Sequence, residues 1–156
     1  IGSGDVHDGR PGNVIGYCQA EPPGYRFGQP GGLVAAWCPR LTRRHVFDAL
    51  WNRRVYATTG ARILLHFEVA GRPMGSEARC VGPVAAAVVV ASEVPITRVE
   101  LVKNGEDHAS RDAARACEFR CEFEVGASAE TDSYYVRVTR EDGEMAWSSP
   151  VWVRKA

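Results

Sequence analysis

The chain has 156 residues, enough for one ordinary domain or for a domain plus part of another. Its apolar (45%) and charged (24%) fractions are globular values and exclude wholesale disorder. The 19 basic and 19 acidic residues cancel, which removes the electrostatic basis for nucleic-acid binding. No apolar run approaches the ~20 residues of a membrane-spanning helix.

The chain opens at Ile1, without Met, which reads as a processed chain or as part of a longer one and leaves the compartment open. The first stretch with chemical content is Ser3-Gly4-Asp5-Val6-His7-Asp8-Gly9-Arg10-Pro11-Gly12. In an extended backbone, side chains at i and i+2 share a face, so Asp5 and His7 converge while Asp8 looks away. A carboxylate and a neutral imidazole are the ligand pair favoured by zinc, manganese and iron. Pro11 donates no amide hydrogen and Gly12 tolerates positive φ, so a tight turn ends the strand. The plain alternative is an Asx-type turn at Asp5 or Asp8 with His7 in solvent.

From Asn13 to Pro39 the chain is rich in Gly, Pro and aromatics, including Tyr17, Tyr25 and Phe27, and no long element runs through it. Such a loop either covers the ligand pair or lies on the surface. Only Leu33–Cys38 reads as a short buried strand. Thr42 is a good N-cap for a helix reaching about Arg54. Val46, Phe47, Leu50 and Trp51 form its apolar stripe, predicted to be buried. Arg53 and Arg54 would fall in its last turn, where cations suit the negative end. Val55–Gly60 follows as a strand with a glycine stop.

Beyond Arg62 the pattern is period two. Ile63, Leu65, Phe67 and Val69 alternate with polar neighbours, Gly71-Arg72-Pro73 makes a turn, and Val84–Ala91 is continuously apolar. Val99 and Leu101 precede Asn104-Gly105, a strong hairpin signal. Cys117, Phe119, Cys121, Phe123 and Val125 alternate with charged residues, the mark of one packed and one wet face. Tyr134–Thr139, a turn at Asp142-Gly143 and Met145–Val153 complete the set, with Pro150 implying an edge or a bulge. Some seven short strands match an antiparallel immunoglobulin-like β-sandwich of two sheets, with Phe67, Val89, Leu101, Phe119, Phe123 and Val136 in its core. Cys18, Cys38, Cys80, Cys117 and Cys121 are odd in number and lack C-x-x-C spacing, so no disulfide framework or zinc finger is indicated. Cys117 and Cys121 lie ~13 Å apart on one strand, too far to bridge. His45, His66 and His108 share no spacing with His7 and read as exposed polar side chains.

Taken together, S-G-D-V-H-D-G-R-P-G, the run LTRRHVFDALWNRRVYATTGARI and the closing MAWSSPVWV resemble a bacterial branch, a domain of unknown function, of the polymerase-and-histidinol-phosphatase (PHP) superfamily of metal-dependent hydrolases. The resemblance covers nearly the whole chain. It implies residues 1–61 as the C-terminal remnant of a distorted β/α barrel (last strand, loop and helix) and residues 62–156 as an appended sandwich. It further implies Asp5 and His7 as ligands of a divalent metal, water attack on a phosphoester or similar bond, and Arg10 as a weaker candidate for holding a small anionic substrate. An Arg10–Asp8 surface pair is the alternative for Arg10. The superfamily's earlier His-x-His and single His or Glu ligands have no match here. A catalytic zinc needs about three protein ligands and an open position, so the fragment alone is expected to be inactive, to hold metal weakly or not at all, and to depend on the missing N-terminal barrel portion. No catalytic residue is assignable. The competing reading is a non-catalytic β-sandwich binding or interaction module.

Overall fold

A computed structural model describes residues 1–4 and 31–156. Asp5, His7 and Arg10 lie outside the described residues, as do Asp8, Cys18 and the aromatics Tyr17, Tyr25 and Phe27. The elements are β1 (Leu33–Ala36), α1 (Arg43–Trp51), β2 (Val55–Thr58), β3 (Ile63–Val69), β4 (Arg72–Pro73), β5 (Glu77–Cys80), β6 (Val84–Lys103), β7 (Glu106–Val125), β8 (Thr131–Arg140), β9 (Met145–Ser148) and β10 (Val151–Lys155). The protein is mainly β.

The ten strands form one continuous, curled sheet in the order β1-β2-β9-β8-β6-β3-β4, with β7 on β6, β10 on β8 and β5 on β10. All pairs are antiparallel except β5 with β10. The expected pair of separate sheets merges because β6 and β7 are each 20 residues long and serve both halves. The first half of β6 pairs with β3 and the second half with β8. Register shifts between Ala91 and Arg98 bend the ladder between the halves, as a β-bulge does. Strands on both sides of residue 61 share the sheet, since β2 pairs with β9. The closing segment expected as one strand is two, β9 and β10, split at Ser149-Pro150, because proline has no amide for a ladder.

The curl wraps one core, built from Leu65, Phe67 and Val69 of β3, Ala86, Val88 and Val90 of β6, Val136 and Val138 of β8, and Val151 and Val153 of β10. Of the predicted core, Phe67, Leu101, Phe123 and Val136 are buried. Val89 is not on the core face: it pairs with His66 and Arg120 on the outer side. Along β7 burial fades from Val125 and Phe123 through half-buried Cys121 and Phe119 to exposed Cys117. Among the described residues β7 pairs only with β6, so its other edge has no strand neighbour; Ala114 and Arg115 within it are left-handed (φ 50° and 61°).

The helix differs more. Thr42 caps it as expected, its hydroxyl accepting from the His45 amide. The predicted apolar face, however, points outward: Phe47 is 59% exposed and Trp51 73%, while Ala49 on the other side is fully buried. A small residue lets the helix sit close to the sheet, and the stripe spacing says only that a face exists, not which way it turns. The helix also ends at Trp51, so Arg53 and Arg54 lie beyond its last turn. Arg53 takes a left-handed φ of 56°, donates to the Gly75 carbonyl at 3.1 Å and lies over the Trp152 ring.

Two tight hairpins fix register. Ala70-Gly71 joins β3 to β4 and Asn104-Gly105 joins β6 to β7, all four residues with positive φ, the requirement of the turn whose twist matches paired strands. Gly105 has φ 89° and open space around an added Cβ. Gly105→Ala is therefore expected to cost about 1–2 kcal/mol from backbone strain alone. Gly82→Ala, equally open and without positive φ, is expected to stay within about 0.5 kcal/mol. Urea titrations of the two variants check this.

Candidate functional site

The backbone of Gly2 passes so close to Leu33 that an added Cβ would meet the Leu33 carbonyl oxygen at 2.1 Å, and Gly4 lies similarly against Gly31. Residues 2–4 therefore lie beside the N-terminal end of β1, an edge of the sheet among the described residues.

Beside this edge lies a cleft of about 530 Å³ walled by β1, β2, β3, the first half of β6 and the second half of β7. Leu33, Val34, Ile63 and Leu64 give it an apolar floor, and Arg62, Glu93 and Glu118 bring charge to it. Its ionisable hydroxyl is committed: Tyr56 donates to the Ile63 carbonyl at 2.8 Å, and burial pushes its pKa up. The arrangement suits binding of an apolar group better than acid–base work.

The remaining histidines are scattered. His45 Nδ1 sits 2.8 Å from the Thr42 hydroxyl, His66 meets the Trp37 ring edge-on, and His108 meets Tyr134. Among the described residues no group of three His, Cys, Asp or Glu side chains is arranged to hold a metal ion. Cys38, Cys80, Cys117 and Cys121 are free thiols. Burial raises the Cys121 pKa to about 11, which suppresses the reactive thiolate.

Two buried carboxylates escape the sequence pattern. Glu100 accepts from Arg137 Nε at 2.8 Å and pairs with Arg98, while Arg137 also reaches Asp107 at 3.0 Å. The Arg137 hydrogen bond holds the Glu100 carboxyl below its ordinary range, against burial. Asp132 accepts from Asn104 Nδ2 and the Ser128 amide, both at 2.7 Å, from the Ser128 hydroxyl at 2.9 Å, and from Lys103 Nζ at 3.0 Å. Burial opposes its charge, but these donors hold its carboxyl well below the usual range. With their lone pairs occupied, both carboxylates anchor loops and strands rather than offering free bases. Asn104 bridges the β6–β7 turn to β8 by also accepting from the Ser133 amide at 2.8 Å. Only the Asn104-Gly105 signal could have pointed to this corner.

A second surface feature is a groove of about 390 Å³ along α1, between Leu41, Val46, Phe47 and Leu50. Phe47 and Trp51 stack beside it with ring centroids 6.1 Å apart.

Residues 7–104 match the family model described as "Protein of unknown function (DUF3604)". An uncharacterized protein of Chlamydia muridarum (strain MoPn / Nigg) is 32% identical over 139 residues, and one of Chlamydia pneumoniae is 35% identical over 139 residues. In both cases the match covers 78% of this chain and 22% of the relative, so the chain spans about a fifth of the length of the curated relatives it matches. Among solved structures, the fibronectin(III)-like modules of Clostridium thermocellum CbhA align with a TM-score of 0.44 at 15% identity, over 59% of this chain and 94% of the module. With its match running from the Asp-x-His histidine to the β6–β7 turn, the chain belongs to the DUF3604 family.

Proposed function

We propose that this chain is the accessory C-terminal part of a PHP-type metal-dependent hydrolase. In this reading it contributes Asp5 and His7 as one corner of a divalent-metal site whose other ligands lie elsewhere in the polypeptide. The observation that carries it is the Asp-x-His pair in a chain that spans 22% of its relatives. Two convergent donors are too few for a water-activating site, which needs at least three. Their chemistry suits zinc, manganese or iron. When bound, such a metal supplies Lewis-acid activation of water. Arg10, three residues past His7, would pair with a small anionic substrate. In this reading residues 62–156 are an appended immunoglobulin-like sandwich and residues 1–61 the barrel remnant.

Metal analysis of the full-length polypeptide tests the proposal. His7→Ala is expected to lower bound divalent metal and phosphoesterase turnover at least tenfold, and the isolated 156-residue chain is expected to be silent. A full-length protein whose metal content ignores His7→Ala would overturn it, as would stoichiometric metal with turnover in the short chain. In that event the second reading, a binding or interaction module, takes over; the apolar floor of the cleft, formed by Leu33, Val34, Ile63 and Leu64, favours it.

A further inference from the structure

We infer that the outward apolar face of α1 is an internal docking surface, and that its occupant is an apolar, acid-rimmed surface from the remainder of the longer polypeptide. The inference rests on the accessory half of the reading above and not on the metal.

Eight of the ten large apolar residues that are exposed among the described residues lie at or before Trp51. The four on or beside α1 are Leu41, Phe47, Leu50 and Trp51, and Leu41 is 93% exposed. They flank a groove, so this is a shaped surface rather than scattered single residues. Stacked aromatics with arginines nearby are the composition of an interface centre. The sandwich that follows turns its large apolar residues inward, with Leu64 and Val81 as the exceptions.

Charge says what kind of surface fits. The whole chain is balanced, yet between positions 40 and 54 five arginines stand against one carboxylate, Asp48. Arg44 reaches Asp48 only at 3.9 Å and is almost fully exposed. A second copy of this chain is a poor occupant, because a two-fold contact through this face would set the same basic rim against itself. The relatives supply the alternative: the matched part, which includes α1, is about a fifth of their length.

A photo-reactive phenylalanine analogue at position 47 of the full-length polypeptide tests this directly. Cross-links are expected to residues outside these 156, within the same polypeptide, and near Asp or Glu. Phe47→Glu is expected to leave the urea midpoint of the 156-residue chain unchanged, since the site is exposed, and to raise proteolytic cleavage at the junction of the full-length protein about tenfold. Arg44→Glu should raise it severalfold. Cross-links to a second copy, or none, would overturn the inference, as would a Phe47→Glu variant indistinguishable from wild type in the full-length protein. The readouts are separable: a persistent cross-link with metal unaffected by His7→Ala defeats the hydrolase reading alone, and the reverse pattern defeats docking alone.

Discussion

Phe67→Ala is expected to cost about 3–5 kcal/mol, while Phe47→Ala in the same 156-residue chain costs less than about 1 kcal/mol. The two residues are chemically identical, so the contrast isolates environment. Phe67 is fully buried on β3, at the centre of a core shared with Val88, Val90 and the inward valines of β8 and β10. Its truncation removes the transfer free energy of the ring and leaves a cavity that strands hydrogen-bonded on both sides relax poorly to fill, since β3 lies between β4 and β6. Phe47 loses mainly its stack on Trp51 and its contact with the groove. Urea titration gives both numbers from midpoints at a common slope. A Phe47→Ala loss equal to that of Phe67→Ala would mean that α1 turns its aromatic face inward.

What the sequence made legible was local. Period-two alternation marked β3 and the inner end of β7 because each residue's face there is set by its own parity. Asn104-Gly105 marked its hairpin because few residue pairs accept two successive positive φ values. Val84–Ala91 shows where this fails: it is apolar at both parities, so nothing in it chooses Ala86, Val88 and Val90 over Val89 for the core. The merging of two expected strands into β6 was hidden by Glu93 and Pro95, which look like an interruption but fall at the bulge, where unpaired positions are tolerated. For α1 the face was legible and its direction was not, because direction depends on what packs against the helix. The same limit applies to sites. Asp5 and His7 are visible as neighbours in sequence and lie outside the described residues, whereas Glu100 and Asp132 each depend on a distant partner, Arg137 and Asn104, 37 and 28 positions away.

Asp132→Ala is expected to cost about 3–5 kcal/mol at neutral pH, the range for removing one partner of a buried ion pair. Asp132 is 1% exposed, and its carboxylate gathers Lys103, Asn104 and Ser128 at the turn end of the β6–β7 hairpin. Without it the Ser128 amide and the Lys103 ammonium lose their acceptor together, which costs more than any one hydrogen bond contributes. The pH dependence follows from the direction of the shift. Asp132 is held well below its ordinary pKa by these donors, and Glu100 is held lower by Arg137. In the unfolded chain both return to about 4. Their contribution is therefore complete above that value and is lost as pH falls below it, because the unfolded state then binds protons that the folded state refuses. The urea midpoint of the wild-type chain should hold level down to about pH 5 and fall steadily from about pH 4 to pH 2. Asp132→Asn keeps the shape and removes the charge, so its deficit relative to wild type should be largest near pH 6 and shrink toward pH 2. A deficit that stays constant across that range would mean that Asp132 titrates as it does in an unfolded chain, and that the four donors around it hold a neutral carboxyl as readily as a charged one.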